Sequence, residues 1–171
     1  MNLKIFCTGV LTASVASSAA WAETGQAVIT GSKPAVRGLV QLTESPEGLK
    51  VDAEFTQAPP GGHAFHIHEF GSCADQAKAA GSHYNPAGHP HGLTAKEGVE
   101  KTHAGDFGNV AVEANGEGAL HVVIPGLTLS NGEYSVAGRA FVLHEKPDDF
   151  SQPTGNAGGR IGCGTIVISG K

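Results

Sequence analysis

The chain has no long segment whose apolar residues recur at the helical period, no run of basic residues and no pair of neighbouring cysteines. The first absence argues against helical bundles and alternating α/β architectures. The second, with a formal net charge of −5, argues against nucleic acid or an anionic membrane surface as partner. The third removes the usual framework of a thiolate zinc site. Histidine is missing from both ends as well: all nine fall between His63 and His144. Neutral imidazole is the commonest metal ligand because it offers a lone pair near physiological pH. Its concentration in the middle of the chain therefore points to metal chemistry.

Residues 1–22 carry Lys4, an apolar stretch through Val10 and Leu11, then small residues ending in Ala20-Trp21-Ala22. That is the three-part pattern of a secretory signal peptide, with cleavage after Ala22. The apolar part is too short, and too rich in Ser and Thr, for a membrane span. Cys7 lacks the small-residue context of a lipoprotein cleavage site. The expected product is a single soluble domain, residues 23–171, with a net charge of −6 (−5 less the +1 of Lys4). Removing Cys7 leaves Cys73 and Cys163, and two cysteines in an exported chain most simply form one disulfide. A loop of 90 positions (163 − 73) closed in this way is worth about 4.6 kcal/mol in the chain-entropy model.

Short segments rich in Val, Ile and Phe alternate in and out at 26–31, 35–43, 49–57, 64–68, 109–114, 118–124, 134–144 and 164–168. Turn signals such as Ser45-Pro46-Glu47-Gly48 and Asn115-Gly116-Glu117-Gly118 separate them. The pattern predicts an all-β, antiparallel sandwich or barrel of eight strands with almost no helix. Residues 69–107 and 145–160 break the rhythm, and loops of that length are usually functional or disordered.

Residues two apart on a strand share a face, so His66 and His68 can reach one ion while Ile67 faces a core. His144 ends another apolar segment and could complete that set. Along the first loop, His83, His91, His103 and Asp106 offer three imidazoles and a carboxylate, a closed tetrahedral set that suits structural zinc. The bland alternative is a solvated polar loop, disfavoured by the entropy of ordering so long a segment without an ion.

Six ordered motifs then carry a resemblance: HAFHIHEFGSC (63–73), SHYNP (82–86), HPHG (89–92), THAGDFGNV (102–110), GRAFVLHEKPDD (138–149) and TGNAGGRIGCG (154–164). Together they resemble the copper/zinc superoxide dismutases, most closely the bacterial exported branch. The resemblance implies an eight-stranded Greek-key β-barrel with two functional loops. It implies one copper per chain on His66, His68, His83 and His144, and one zinc on His83, His91, His103 and Asp106, with His83 shared. Arg160 matches an arginine that guides the substrate anion. Asp148 matches a carboxylate linking a copper histidine to a zinc histidine, here His66 and His91. His63 matches a histidine that braces the copper loop without binding metal, while His89 and His121 fall outside the pattern. The implied activity is disproportionation of superoxide to O2 and H2O2 by Cu(II)/Cu(I) cycling, in the periplasm, with superoxide the only partner implied. Homodimer and monomer both stay open. A metal carrier, or a non-catalytic copper-delivery relative, is the alternative; it is disfavoured because no copper ligand and no guiding arginine is lost.

One departure stands out. Residues 149–160 hold neither lysine nor glutamate, where familiar eukaryotic relatives carry both ahead of the guiding arginine. Lys78, Lys96 and Lys101 on the first loop are the expected substitutes for attracting the anion.

Overall fold

Strand alternation builds the expected closed barrel of eight antiparallel strands, with a ninth short strand added beside the first, in the computed structural model, which describes residues 22–170. The signal-peptide segment thus lies outside the described residues, Ala22 apart. The strands are β1 (Thr24–Ser32), β2 (Ala35–Ser45), β3 (Gly48–Gln57), β4 (Gly61–His68), β5 (Asp106–Val112), β6 (Gly118–Ile124), β7 (Ala140–His144), β8 (Arg160–Thr165) and β9 (Val167–Gly170). A single four-residue helix, α1 (Thr94–Glu97), and a 3-10 turn at Lys78–Ala80 are the only helical elements among the described residues. No helix there is long and apolar enough to cross a membrane.

The sheet runs β2-β3-β6-β5-β4-β7-β8-β1-β9, and pairing of β1 with β2 closes it. Every strand-to-strand ladder is antiparallel. β3 passes to β4 although β6 and β5 lie between them, and β6 passes to β7 over β5 and β4, which makes the connections Greek-key.

Alternate residues of β2 and β3 fill the barrel: Val36, Val40 and Leu42 from one, Leu49, Val51, Ala53 and Phe55 from the other. At its centre Phe65 stacks on Phe141 at 4.8 Å, while Phe55 and Phe107 meet them edge-on. β7 is buried on both faces. Its Phe141 and Leu143 point into the main core, whereas Ala140 and Val142 pack outward against Ala77, Ala80 and Cys163. The loop of residues 69–105 therefore acts as a second layer on the outer face of β4 and β7.

Three expectations about elements are revised. Residues 134–139 do not join the strand ending at His144: the amides of Val136 and Ala137 bond instead to the carbonyl of Leu129, so this stretch folds back on its own loop. The last expected strand is two, because buried Ile166 marks the point where pairing with β7 gives way to pairing with β1. Asp106 and Phe107 belong to β5 rather than to the loop, and Arg160 opens β8.

The Cys73–Cys163 disulfide joins the loop to β8. Replacing both cysteines by serine should cost about 2–4 kcal/mol, lowering the melting temperature of the metal-free chain by roughly 5–15 °C. Calorimetry of the two forms measures this. An unchanged melting temperature would mean that other contacts pin the loop.

Candidate metal centre

Strand register assembles the histidines. On β4, Ile67 is buried in the main core, so His66 and His68 project from the opposite face toward the covering loop. Asp106, the first residue of β5, pairs with His66, and His68 forms an isolated bridge with His83. Three backbone hydrogen bonds lock these segments together: Tyr84 N–H to Ile67 O (2.8 Å), Gly105 N–H to Tyr84 O (3.0 Å) and Ile67 N–H to Gly105 O (2.9 Å). Gly105 permits the approach, because a Cβ there would lie 2.3 Å from the Ile67 carbonyl oxygen. His144 closes β7, opposite Arg160 on β8.

Besides a buried group of three, His66, His91 and Asp148, two buried groups of four result: His66, His68, His83 and His144, and His83, His91, His103 and Asp106, with the donor atoms of each lying within 4.8 Å of one another. His83 belongs to both. Its Nδ1 faces Asp106 Oδ1 at 2.8 Å, which leaves Nε2 for the first group. In that group the Nε2 atoms of His68 and His144 stand 3.2 Å apart, and the rings of His66 and His83 have centroids 4.1 Å apart.

The donor set fits cations. Nδ1 of His66, His91 and His103 are buried without any hydrogen-bond partner, an arrangement that is costly unless something else occupies the lone pair. Asp106 Oδ2 lies 2.6 Å from His91 Nδ1 and 3.2 Å from His103 Nδ1 without hydrogen-bond alignment. Such crowding of unshared donors suits ligands converging on one ion. Four imidazoles suit copper, and three imidazoles with a carboxylate suit zinc.

Around the groups, Asp148 accepts from His66 Nε2 through Oδ2 and from His91 Nε2 through Oδ1, each at 2.9 Å. It thereby links one ring from each group. Gly155 lies against it with φ +71°, and a Cβ there would sit 1.8 Å from Asp148 Oδ1. The ring nitrogens of His63 face the carbonyls of His144 and Pro59, both at 2.8 Å, so His63 ties β4 to the end of β7. His121 faces outward beside Asp52, and His89 takes part in neither group.

Burial dominates the charges. It pushes His68 down to about 3, His83 to about 4 and His144 to about 2, the neighbouring rings adding to the effect. For His91 burial acts the same way, but the carboxylates of Asp106 and Asp148 outweigh it and raise the ring to about 9. Burial opposes ionisation of Asp106 and Asp148 too. The rings of His103, His83 and His91 around the first, and of His66 and His91 around the second, prevail and hold both below the usual carboxylate range.

Arg160 donates to the carbonyls of Ala77 (2.5 Å) and Gly81 (2.6 Å), and the Gly81 carbonyl also faces His68 Nδ1 at 3.0 Å. The guanidinium is thus fixed one carbonyl away from the first group, with three of its five N–H donors free of those two bonds. It lines an open cleft of about 620 Å³ together with Lys33, His63, Lys78 and Glu145. Of the three lysines picked out from the sequence, only Lys78 lines this cleft. Lys96, on α1, and Lys101 do not, and Lys33, between β1 and β2, was missed. Pairing of Thr30 with Cys163 carries the β1–β2 turn to Arg160's end of the barrel, a juxtaposition with no local sequence signal.

In the metal-free chain, His68, His83 and His144 have folded values below the unfolded 6.5. The unfolded state therefore binds more protons between 6.5 and about 4, and stability falls as pH falls through that window. His91 has the opposite sign: its contribution is complete below 6.5 and is lost as pH rises through about 9. Calorimetry of the metal-free chain should show melting temperature dropping on both sides. A flat profile below 6.5 would contradict buried neutral rings.

A family model described as copper/zinc superoxide dismutase matches residues 36–166. The Cu-Zn superoxide dismutase 3 of Arabidopsis thaliana is 38% identical over 141 residues, covering 78% of this chain and 84% of its own. The crystal structure of the clock protein EA4 matches with a TM-score of 0.78 at 33% identity, covering 91% of this chain and all of its own. With family match, relative, fold and donor groups in agreement, the chain belongs to the copper/zinc superoxide dismutase family.

Proposed function

We propose that His66, His68, His83 and His144 hold copper, that His83, His91, His103 and Asp106 hold zinc, and that this centre converts two superoxide anions and two protons into dioxygen and hydrogen peroxide. The observation that carries the assignment is the single ring of His83 common to two buried groups of different donor chemistry. Copper supplies the one-electron chemistry by alternating between Cu(II) and Cu(I), whereas zinc has a single working oxidation state.

The residues supply the rest. To serve both metals, His83 would have to give up both ring protons, which neighbouring positive charge would make accessible at neutral pH. His83 Nε2, which is left for the first group, would hold a proton and hand it to the departing peroxide, so that one ring would serve as ligand and general acid. Arg160 stays charged although its burial lowers its pKa, and its remaining donors receive the anion. Asp148 fixes the His66 and His91 rings through their outer nitrogens. The disulfide fits an exported protein. The signal-peptide pattern of residues 1–22 supports the periplasm as its compartment.

His144→Ala should abolish most dismutation and copper binding while leaving a folded chain that binds one zinc. Metal analysis beside the rate of superoxide removal, before and after copper extraction, tests the assignment. Equal rates with and without copper would sink it.

Neutralising Lys33 and Lys78 together should lower the low-salt rate by roughly 3- to 10-fold and flatten its salt dependence, because both line the cleft around Arg160. Neutralising Lys96 and Lys101 should change neither. The reverse pattern would place the approach path elsewhere.

A further inference from the structure

Three side-chain amides near the second group make the same two-bond contact with a backbone. Asn85 donates to His89 O (2.8 Å) and accepts from His89 N–H (2.9 Å). Asn109, on β5, donates to Asp148 O (3.0 Å) and accepts from Asp148 N–H (2.6 Å). Gln152, on the loop of residues 145–159, donates to His91 O (2.9 Å) and accepts from His91 N–H (3.0 Å). Each reproduces a short antiparallel bridge with a side chain. Among side chains, the amide combines acceptor and donor in one planar group.

What these amides hold is specific. Residues 85–93 contain no strand or helix, so no sheet ladder fixes the backbone at His91. Its ring nevertheless has to satisfy two directions, Nδ1 toward Asp106 and Nε2 toward Asp148. Gln152 fixes the backbone from which that ring hangs. Asn109 fixes the backbone that carries the carboxylate at its far side. The two contacts span 61 and 39 positions: one ties His91 to the loop of residues 145–159, and the other ties Asp148 of that loop to β5.

We propose that Gln152 and Asn109 are positioning residues of the zinc half of the centre, holding the His91 ring in its binding orientation; this rests on the zinc assignment above. Residues 149–159, which lack lysine and glutamate, thus have a different task from electrostatic attraction: they grip a ligand.

The test uses the full mature chain, stripped of metal and titrated with Zn(II) against a chelator and with Co(II) as a spectroscopic probe. Gln152→Ala should weaken Zn(II) binding by about 10- to 100-fold and shift the Co(II) visible bands. Gln152→Glu, which keeps the acceptor for His91 N–H and loses the donor, should fall between. Asn109→Ala and Asn109→Asp should follow the same order. Asn156→Gly is the control: Asn156 bonds only Asp149 and Ser151 of its own loop, and its φ of +49° suits glycine. It should leave affinity and spectrum unchanged. Zn(II) binding by Gln152→Ala within about twofold of wild type, with unaltered Co(II) bands, would overturn the proposal, as would an equal loss in Asn156→Gly. Co(II) bands in the wild type that are insensitive to His103→Ala would refute the zinc assignment itself, so the two failures are distinguishable.

Discussion

The centre depends on a closed triangle of backbone hydrogen bonds among Ile67, Tyr84 and Gly105. Each corner adjoins donors: His66 and His68 flank the first, His83 precedes the second, and Asp106 follows the third. The three bonds therefore set the relative positions of four side chains before any of them meets an ion. A centre of this kind needs pre-set geometry, because ligands left to find an ion from a flexible loop would lose conformational entropy on binding. Gly105 shows how tight the constraint is. Any side chain there would collide with the Ile67 carbonyl and push the β5 end of the site away from β4.

Burial is the second requirement, and the barrel alone does not provide it. A strand face turned outward from a closed barrel ordinarily meets water. Here the loop of residues 69–105 covers the outer face of β4 and β7, leaving His66 and His68 almost without exposure. The loop is fastened by unlike contacts: a disulfide at Cys73, the two carbonyl bonds from Arg160, a bond from Arg139 Nη1 to Glu69 O, and the same guanidinium lying 3.6 Å over the Tyr84 ring. Arg160 is therefore both a strut for the covering loop and a cation at its edge. A group held on two sides offers its remaining donors in a fixed direction, which is what recognition of a small anion asks for.

Much of this was legible in the residues. Alternation along β4 separates Ile67 from His66 and His68 without any structure, and export logic pairs Cys73 with Cys163. Contacts that depend on three-dimensional closure were not. Residues 134–139 read as the start of a strand, yet Val136 and Ala137 satisfy their amides against residues 128 and 129, a competition that local pattern cannot decide. Ile166 sits inside an unbroken β-like run, and only the change of partner from β7 to β1 divides it. Lys33, Asn109 and Gln152 belong to the same class. Each owes its place to a residue tens of positions away, and an isolated lysine or amide ordinarily reads as solvated surface.

The charge problem of an acidic chain acting on an anion resolves in the same terms. Net charge sets the distant field, but a cleft responds to the charges that line it. Lys33, Lys78 and Arg160 come from three separate parts of the chain, the β1–β2 turn, the covering loop and the start of β8, with Glu145 opposing them. Positive charge is thus collected by topology where no positive run exists in the sequence. That division frees residues 149–159 from contributing lysine, and their polar groups go instead to internal and ligand-holding bonds: Asp149 to Ser151 and Asn156, Gln152 to His91. A short loop that must hold a ligand's backbone gains from rigid amides, whereas a flexible charged chain at the same place would add field at the expense of order.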